Sequence, residues 1–88
     1  MPISDDQQLM ERKCVLLMKI HDTSLFNLGY IFTTCVSRNK HPDGPWWELR
    51  CITYDHRNIL IKKGPSAPGR TRFHALKLLY RELLNMPR

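Results

Sequence analysis

Apolar and polar positions predict a helix at each end of the chain and strands between them. Near the N-terminus we predict a helix from about residue 5 to 19, with the apolar residues Leu9, Cys14, Leu16, Leu17 and Ile20 available for burial. Ser4 and Gln7 have the spacing of a capping box at the start of this helix. The run CVLLMKI is apolar throughout, so periodicity leaves residues 14–20 open to either helix or strand.

The middle of the chain is rich in β-branched and aromatic residues between turn-forming segments. The segments NLGYIFTTCVSR, WWELRCITY and NILIKK predict three strands, at about 29–37, 46–54 and 58–63. NKHPDGP is predicted to be a loop, because its prolines and glycine favour turns, and DHRN a short polar connection. The second and third strands therefore form a predicted antiparallel hairpin.

The last third of the chain predicts a loop followed by a helix. GPSAPG, residues 64–69, is rich in glycine and proline and is expected to end the sheet. A helix at about 70–85 then places apolar residues every three or four positions, at Phe73, Leu76, Leu79, Tyr80 and Leu83. We therefore predict a single α+β domain, residues 1–88, in the order α-β-β-β-α. Its three-stranded antiparallel sheet packs against two helices.

Two adjacent tryptophans begin the predicted second strand. Neighbouring strand residues point to opposite faces, so Trp46 and Trp47 cannot enter the same core. We expect one of them in the core and the other exposed or covered by a partner. Exposed tryptophan stacks on bases or anchors protein interfaces, so this pair is also a candidate protein interface.

Composition excludes several classes of protein. No apolar run has the roughly 18–20 residues that a membrane span needs, and the polar start MPISDDQQ does not resemble a signal peptide. We expect an intracellular protein, cytoplasmic or nuclear, that is complete from Met1 and contacts no membrane. The three cysteines contain no CxxC pair, which favours buried free thiols over a disulfide framework or a metal site.

The positive charge is concentrated toward the C-terminus. The formal charge is +6, and residues 56–88 hold eight Lys/Arg residues against one acid, Glu82. On the predicted last helix, one line of polar residues lies opposite the apolar stripe: Arg70, His74, Lys77 and Arg81. Like charges in such a line repel one another, and a solvated basic face is the simpler explanation. The charge separation favours a polyanionic partner, with the line lying along a phosphate backbone.

The loop GPSAPGRT resembles a nucleotide-binding loop in spacing only. Gly64, Gly69, Arg70 and Thr71 reproduce G-x-x-x-x-G-K-[ST] with arginine in the lysine position. A phosphate cradle uses consecutive backbone N–H groups, and the two prolines of this loop have none. The sequence contains no other catalytic constellation, so we predict neither an enzyme nor a cofactor, metal or small-molecule substrate.

The second half of the chain resembles the double-stranded-RNA-binding domain. The segment WELRCITYDHRNILIKKGPSAPGRTRFHALKLLYREL aligns without gaps with that family's second strand, third strand and last helix. HALKLLYREL matches the family's pattern of small and apolar residues around one lysine, here Lys77. The resemblance extends over about residues 28–85, and includes the first helix only by position.

This resemblance implies contacts with A-form RNA from the first helix, the loop between strands 1 and 2, and the start of the last helix. The residues implied near the last helix are Arg70, Arg72, His74 and Lys77, with Lys62 and Lys63 nearby. Those implied in the loop are Asn39, Lys40 and His41. The chain departs from the family at Pro68 and Gly69, where the family has paired lysines.

Three hypotheses follow. The first is a small nucleic-acid-binding module that contacts phosphates, with double-stranded RNA favoured over DNA. The second is a protein-interaction module on the same fold that has lost RNA binding: a dimerisation domain, adaptor or small inhibitor, with a protein partner or a second copy. The third is a DNA-binding domain whose sheet enters the major groove, which would turn Glu48, Arg50 and Ile52 toward bases. The acidic Glu48 counts against it.

Overall fold

The computed structural model describes residues 5–41 and 44–87, with side chains for all of these except 39–41, 44 and 45. It confirms an α+β fold with a three-stranded antiparallel sheet. The elements are α1 Asp5–His21, α2 Thr23–Asn27, β1 Ile31–His41, β2 Gly44–Tyr54, β3 Leu60–Gly69 and α3 Arg72–Asn85. The predicted capping box depends on Ser4, which lies outside the described residues.

The open question about residues 14–20 is resolved as helix. Cys14 and Met18, four residues apart, are buried, whereas Leu16 and Ile20 on the opposite side stay exposed. Acidic residues in the first turn and basic residues in the last turn complement the helix dipole. The sequence did not predict the short α2. Gly29, with φ of +82°, follows this short helix. The first strand therefore begins at Ile31 rather than near residue 29, where the sequence predicted it.

The sheet has the order β1-β2-β3, which places β1 and β3 at its two edges. β1 and β2 pair residue for residue from Ile31 opposite Tyr54 to His41 opposite Gly44. The β2–β3 pairing is less regular, with register shifts between Arg50 and Ile52 and between Thr53 and Tyr54. The two edges of the sheet therefore differ in regularity.

The prediction that residues 64–69 form a loop is wrong. β3 continues to Gly69, with Ala67 buried opposite Leu49. Pro65 and Pro68 fit in this strand because β3 lies at an edge, where an outward-facing position needs no N–H donor. The strand occupies residues 60–69 instead of 58–63.

The connection between β2 and β3 is the polar turn that DHRN predicted. The Asp55 carboxylate accepts hydrogen bonds from the backbone N–H groups of Arg57 (2.8 Å) and Ile59 (3.0 Å). Asn58 adopts φ of 64°, a conformation that asparagine tolerates better than most residues. Because this turn takes up residues 55–59, β3 starts at Leu60.

Replacing Asp55 with alanine should lower the free energy of unfolding by about 1 kcal/mol, because two backbone donors lose their acceptor. Asp55→Asn keeps one acceptor oxygen and should lose less. Urea unfolding followed by circular dichroism measures both variants. If both variants lose the same free energy of unfolding, the hydrogen bonds to this side chain do not hold the turn.

Both long helices lie on one face of the sheet and enclose the core. The buried cluster consists of Cys14, Met18, Phe32, Leu49, Cys51, Ala67, Ala75, Leu76, Leu79 and Leu83. The predicted α3 stripe is confirmed at Leu76, Leu79 and Leu83, while Phe73 and Tyr80 are half-buried. At the far end of the helices, Nε2–H of His21 donates to the carbonyl oxygen of Leu83 at 2.8 Å and ties α1 to α3.

The cysteines are free, as predicted, but only two of the three are buried. Burial raises the pKa of Cys14 to about 12 and that of Cys51 to about 11, and the nearby Cys51 contributes to the shift at Cys14. Cys35 is exposed on β1. Because the thiolate is the reactive form, the two core cysteines are protected by both burial and protonation.

A thiol reagent at pH 7–8 should therefore modify the folded protein at Cys35 alone. Mass spectrometry of the intact chain after brief treatment with a maleimide should show one adduct, and treatment in denaturant should show three. Cys35→Ser should show none while folded. Rapid modification of Cys14 or Cys51 in that variant would contradict the packing described above.

Candidate nucleic-acid interface

Three arginines and the two tryptophans meet where the β1–β2 hairpin approaches the start of α3. The guanidinium carbon of Arg38 lies 5.4 Å from the ring centroid of Trp47, and that of Arg72 lies 5.8 Å from the same ring. The Arg70 guanidinium lies 5.5 Å from the Trp46 ring. We call these five residues the Trp–Arg cluster.

Strand pairing brings the cluster together. Trp47 of β2 is opposite Arg38 on β1 and opposite Gly69 at the end of β3, from which the chain continues directly to Arg70 and Arg72. Trp47 shares the helix-covered face with Leu49, and Trp46 lies on the other face. Guanidinium groups therefore flank this end of the sheet on both faces.

The expectation of one core tryptophan is wrong. Both rings are half-buried, and neither belongs to the buried cluster. The tryptophans lie beyond the part of the sheet that the core side chains cover, so arginine side chains pack over them instead. A cation over an indole ring gains about 0.5–1 kcal/mol at an exposed site, and its N–H groups stay available to a ligand.

Gly69 sets how closely β3 approaches α3. A Cβ at this position would lie 2.4 Å from the backbone nitrogen of Ala75 and 2.8 Å from its Cα. Only glycine allows this approach. Thr71 then caps α3 by accepting the N–H of His74 at 3.0 Å, so the helix starts at Arg72 rather than at residue 70.

The arginines of the cluster form no ion pair with any acidic residue that the structure describes. The ion pairs within residues 5–41 and 44–87 are Arg50 with Glu48, at 3.6 Å, and Lys62 with Asp22, at 2.8 Å. The first turn of α3 contains no acidic residue, so the partial positive charge of its N-terminus adds to that of the arginines. This end of the domain is suited to an anionic ligand.

The basic line predicted on the last helix continues from this cluster. His74, Lys77 and Arg81 are exposed, and Lys77 Nζ lies 4.5 Å from the Phe73 ring centroid. From His74 to Arg81 the line extends about 10 Å along the helix axis. Arg70 precedes the helix and belongs to the cluster rather than to the helical line.

The structure does not bring Lys62 and Lys63 to this surface. Seven residues of extended strand, about 23 Å, separate Lys62 from Gly69. Lys62 also donates to both carboxylate oxygens of Asp22, at 2.8 and 2.9 Å. Binding by these two lysines stays a prediction, but a ligand on the Trp–Arg cluster does not reach them without spanning the sheet.

Lys40 and His41 end β1 opposite Pro45 and Gly44, at the same end of the sheet as the tryptophans. The side chains of both residues lie outside what the structure describes. Sequence reasoning missed Arg38 because β1 was predicted to end at residue 37. The alternation of Phe32, Thr34 and Val36 continues to Arg38 and is the signal that would have included it.

A groove of about 600 Å³ separates α1 from β1. Its lining consists of Gln8, Glu11, Arg12, Val15, Leu16, Lys19, Thr33 and Thr34. In the described ranges, no three His, Cys, Asp or Glu side chains come together as metal ligands would. No helix in these ranges is both long and apolar enough to cross a membrane.

Comparisons with known proteins supply no relative on which to base a function. No family model, curated protein or solved structure matches this chain.

Proposed function

We propose that this protein is a nucleic-acid-binding domain that acts inside the cell and contacts the phosphate backbone of a duplex, with double-stranded RNA as the preferred ligand. The observation that carries the proposal is the Trp–Arg cluster, whose arginines have no acidic partner in the described chain, beside the basic line of α3. Guanidinium groups donate paired hydrogen bonds to phosphate oxygens, so such an arrangement suits phosphates.

Recognition in this proposal is by charge and shape. Arg38, Arg70 and Arg72 neutralise phosphates at the end of the sheet, and Lys77 and Arg81 do so along α3. A-form RNA is recognised mainly through phosphates and 2′-hydroxyls, because its major groove is too narrow for side chains to read. Exposed cations that contact phosphates suit recognition of this kind, and the preference for RNA over DNA is part of the proposal.

The contacts on the uncovered face of the sheet disfavour the DNA hypothesis. Arg50 and Glu48 pair with each other at 3.6 Å, and Ile52 is only 8% exposed. These are the side chains that would have to read bases. A DNA-reading sheet needs them free and exposed.

Titration of the protein with duplex RNA, duplex DNA and single-stranded RNA of equal length tests the proposal. Neutralising about five phosphates, one for each cation proposed to contact RNA, predicts a slope of roughly −4 to −5 for log K against log salt. Duplex RNA should bind most tightly. Absence of duplex binding at low salt, or binding that does not depend on salt, would overturn the proposal.

The protein-interaction hypothesis is supported by a different part of the surface. Leu9, Leu16 and Ile20 form an apolar line on the outer side of α1, exposed by 52%, 57% and 46%. If this hypothesis is right, the tryptophans or α1 contact the protein partner, and the arginines form only a solvated surface. Reversing the charge of Lys77 and Arg81 separates the two hypotheses, because RNA binding depends on these cations and an apolar interface does not.

A further inference from the structure

The two edges of the sheet differ in how well they resist pairing with another strand. β3 carries Pro65 and Pro68, and its pairing with β2 is interrupted by register shifts. Prolines and irregularities of this kind block the addition of a strand to a sheet edge. β1 has neither: it is eleven residues long, contains no proline or glycine, and pairs with β2 without a shift. Within residues 5–41 and 44–87, no strand pairs with the outer edge of β1, which can therefore accept a further strand.

The groove between α1 and β1 lies beside this open edge. Thr33 and Thr34 of β1 form one side of the groove, and Val15 and Leu16 of α1 add apolar surface on the other. Leu16 is 57% exposed, and Val36, on the helix-covered face of β1, is 36% exposed. A strand added to β1 would cover this apolar surface with every second side chain.

A single extended peptide fits this place better than a second copy of the domain. Among the strands, α1 packs mainly against β1. Antiparallel pairing of two β1 strands around a two-fold axis keeps both α1 helices on the same face of the joined sheet. The two strands lie about 4.8 Å apart, whereas packed helices need about 8–10 Å between their axes. A peptide brings no second helix and avoids this crowding.

The charges of the groove indicate the chemistry of the peptide. Arg12 and Lys19 line it against one acid, Glu11. A strand with apolar residues at alternate positions and an acidic residue near Arg12 and Lys19 complements both the apolar and the charged parts. The part of the edge whose side chains are described runs from Ile31 to Arg38. A peptide strand of about six to eight residues fits along it.

We propose that the β1 edge and the groove beside it bind an extended, apolar and acidic peptide segment of a partner protein by strand addition. Main-chain hydrogen bonds to β1 supply affinity, and the α1 side of the groove selects the side chains. The groove shares no residue with the Trp–Arg cluster, and the β1 edge meets that cluster only at Arg38. The proposal does not depend on RNA binding.

Selection from a phage-displayed library of random peptides against the immobilised protein provides the probe. The selected peptides should share alternating apolar residues with at least one acid. A synthetic copy of the most enriched peptide is then titrated by fluorescence anisotropy. Methylation of alternate backbone nitrogens should abolish its binding, because strand addition requires those N–H donors. Absence of enrichment, or undiminished binding of the methylated peptide, would overturn the proposal.

Two variants with the same substitution locate the site. Leu16→Glu places a negative charge in the groove and should weaken the peptide about tenfold or more. Leu84→Glu is the matched control, because Leu84 is 54% exposed on α3 and does not line the groove. Equal losses in both variants would exclude the groove. Sedimentation that reveals a dimer disrupted by Leu16→Glu alone would assign the edge to a second copy and overturn the peptide proposal.

Discussion

Replacing Gly69 with alanine is expected to destabilise the domain by about 3 kcal/mol or more, the largest effect of any single substitution predicted for this protein. The added Cβ would lie 2.4 Å from the Ala75 nitrogen and 2.8 Å from its Cα. These are backbone atoms in the first turns of α3, so no side-chain rotation relieves the overlap. Either β3 or the start of α3 must move, and Ala75 belongs to the buried cluster.

Gly29→Ala is the matched control for this prediction. Gly29 has φ of +82°, and a Cβ there would meet nothing within 4 Å. It should therefore cost only about 1 kcal/mol, the strain of a left-handed conformation without any overlap. Urea unfolding of both variants measures the difference. If Gly69→Ala unfolds no more easily than Gly29→Ala, the close approach of β3 to α3 is wrong.

Reversing two charges of the Trp–Arg cluster is expected to have the largest effect on function. If the proposed function is right, the double variant Arg70→Glu with Arg72→Glu removes two phosphate contacts and adds two repulsive charges. Affinity for duplex RNA should fall about a hundredfold at low salt, and the salt slope should become shallower by about 2. The variant also loses the contacts of both guanidinium groups with the tryptophan rings, which should lower the free energy of unfolding by about 1–2 kcal/mol and leave the domain folded.

The control for this variant carries the same change in net charge at the other end of the sheet. Arg57→Glu with Lys63→Glu alters two exposed residues near the β2–β3 turn, far from the cluster. It should retain most of the RNA affinity. Equal losses in both double variants would mean that net charge alone drives binding, and the Trp–Arg cluster would not be the site. A contribution from Lys63, which the sequence predicted, would appear here as a partial loss.

The periodicity of apolar residues was enough to predict α3 and its core side, whereas residues 14–20 of α1 stayed open to helix or strand until the structure showed a helix. Leu76, Leu79 and Leu83 are buried because a helix with that spacing can hide only one side. The hairpin between β2 and β3 was equally local, since Asp55 and Asn58 form its turn from neighbouring residues. Helices and turns depend on interactions between residues a few positions apart, so their positions can be predicted from a single sequence.

The end of β3 was predicted wrongly for a reason that lies outside the segment itself. Proline and glycine in GPSAPG favour a loop, and they are tolerated in a strand only if that strand lies at an edge. Strand order is a property of the whole sheet. The contact of Arg38 with Trp47 also depends on the whole sheet, because it forms only where β1 extends past residue 37 along β2.

The sequence by itself determined the α-β-β-β-α order, the buried side of α3, the opposite orientations of Trp46 and Trp47, and the excess of cations in the last third. The tertiary structure alone decided which of those cations lie together. Lys62 and Lys63 are close to Arg70 in sequence, but an extended strand separates them, whereas strand pairing brings the distant Arg38 to the same tryptophan as Arg72. Pairing between strands acts over long sequence separations, and no local pattern encodes it.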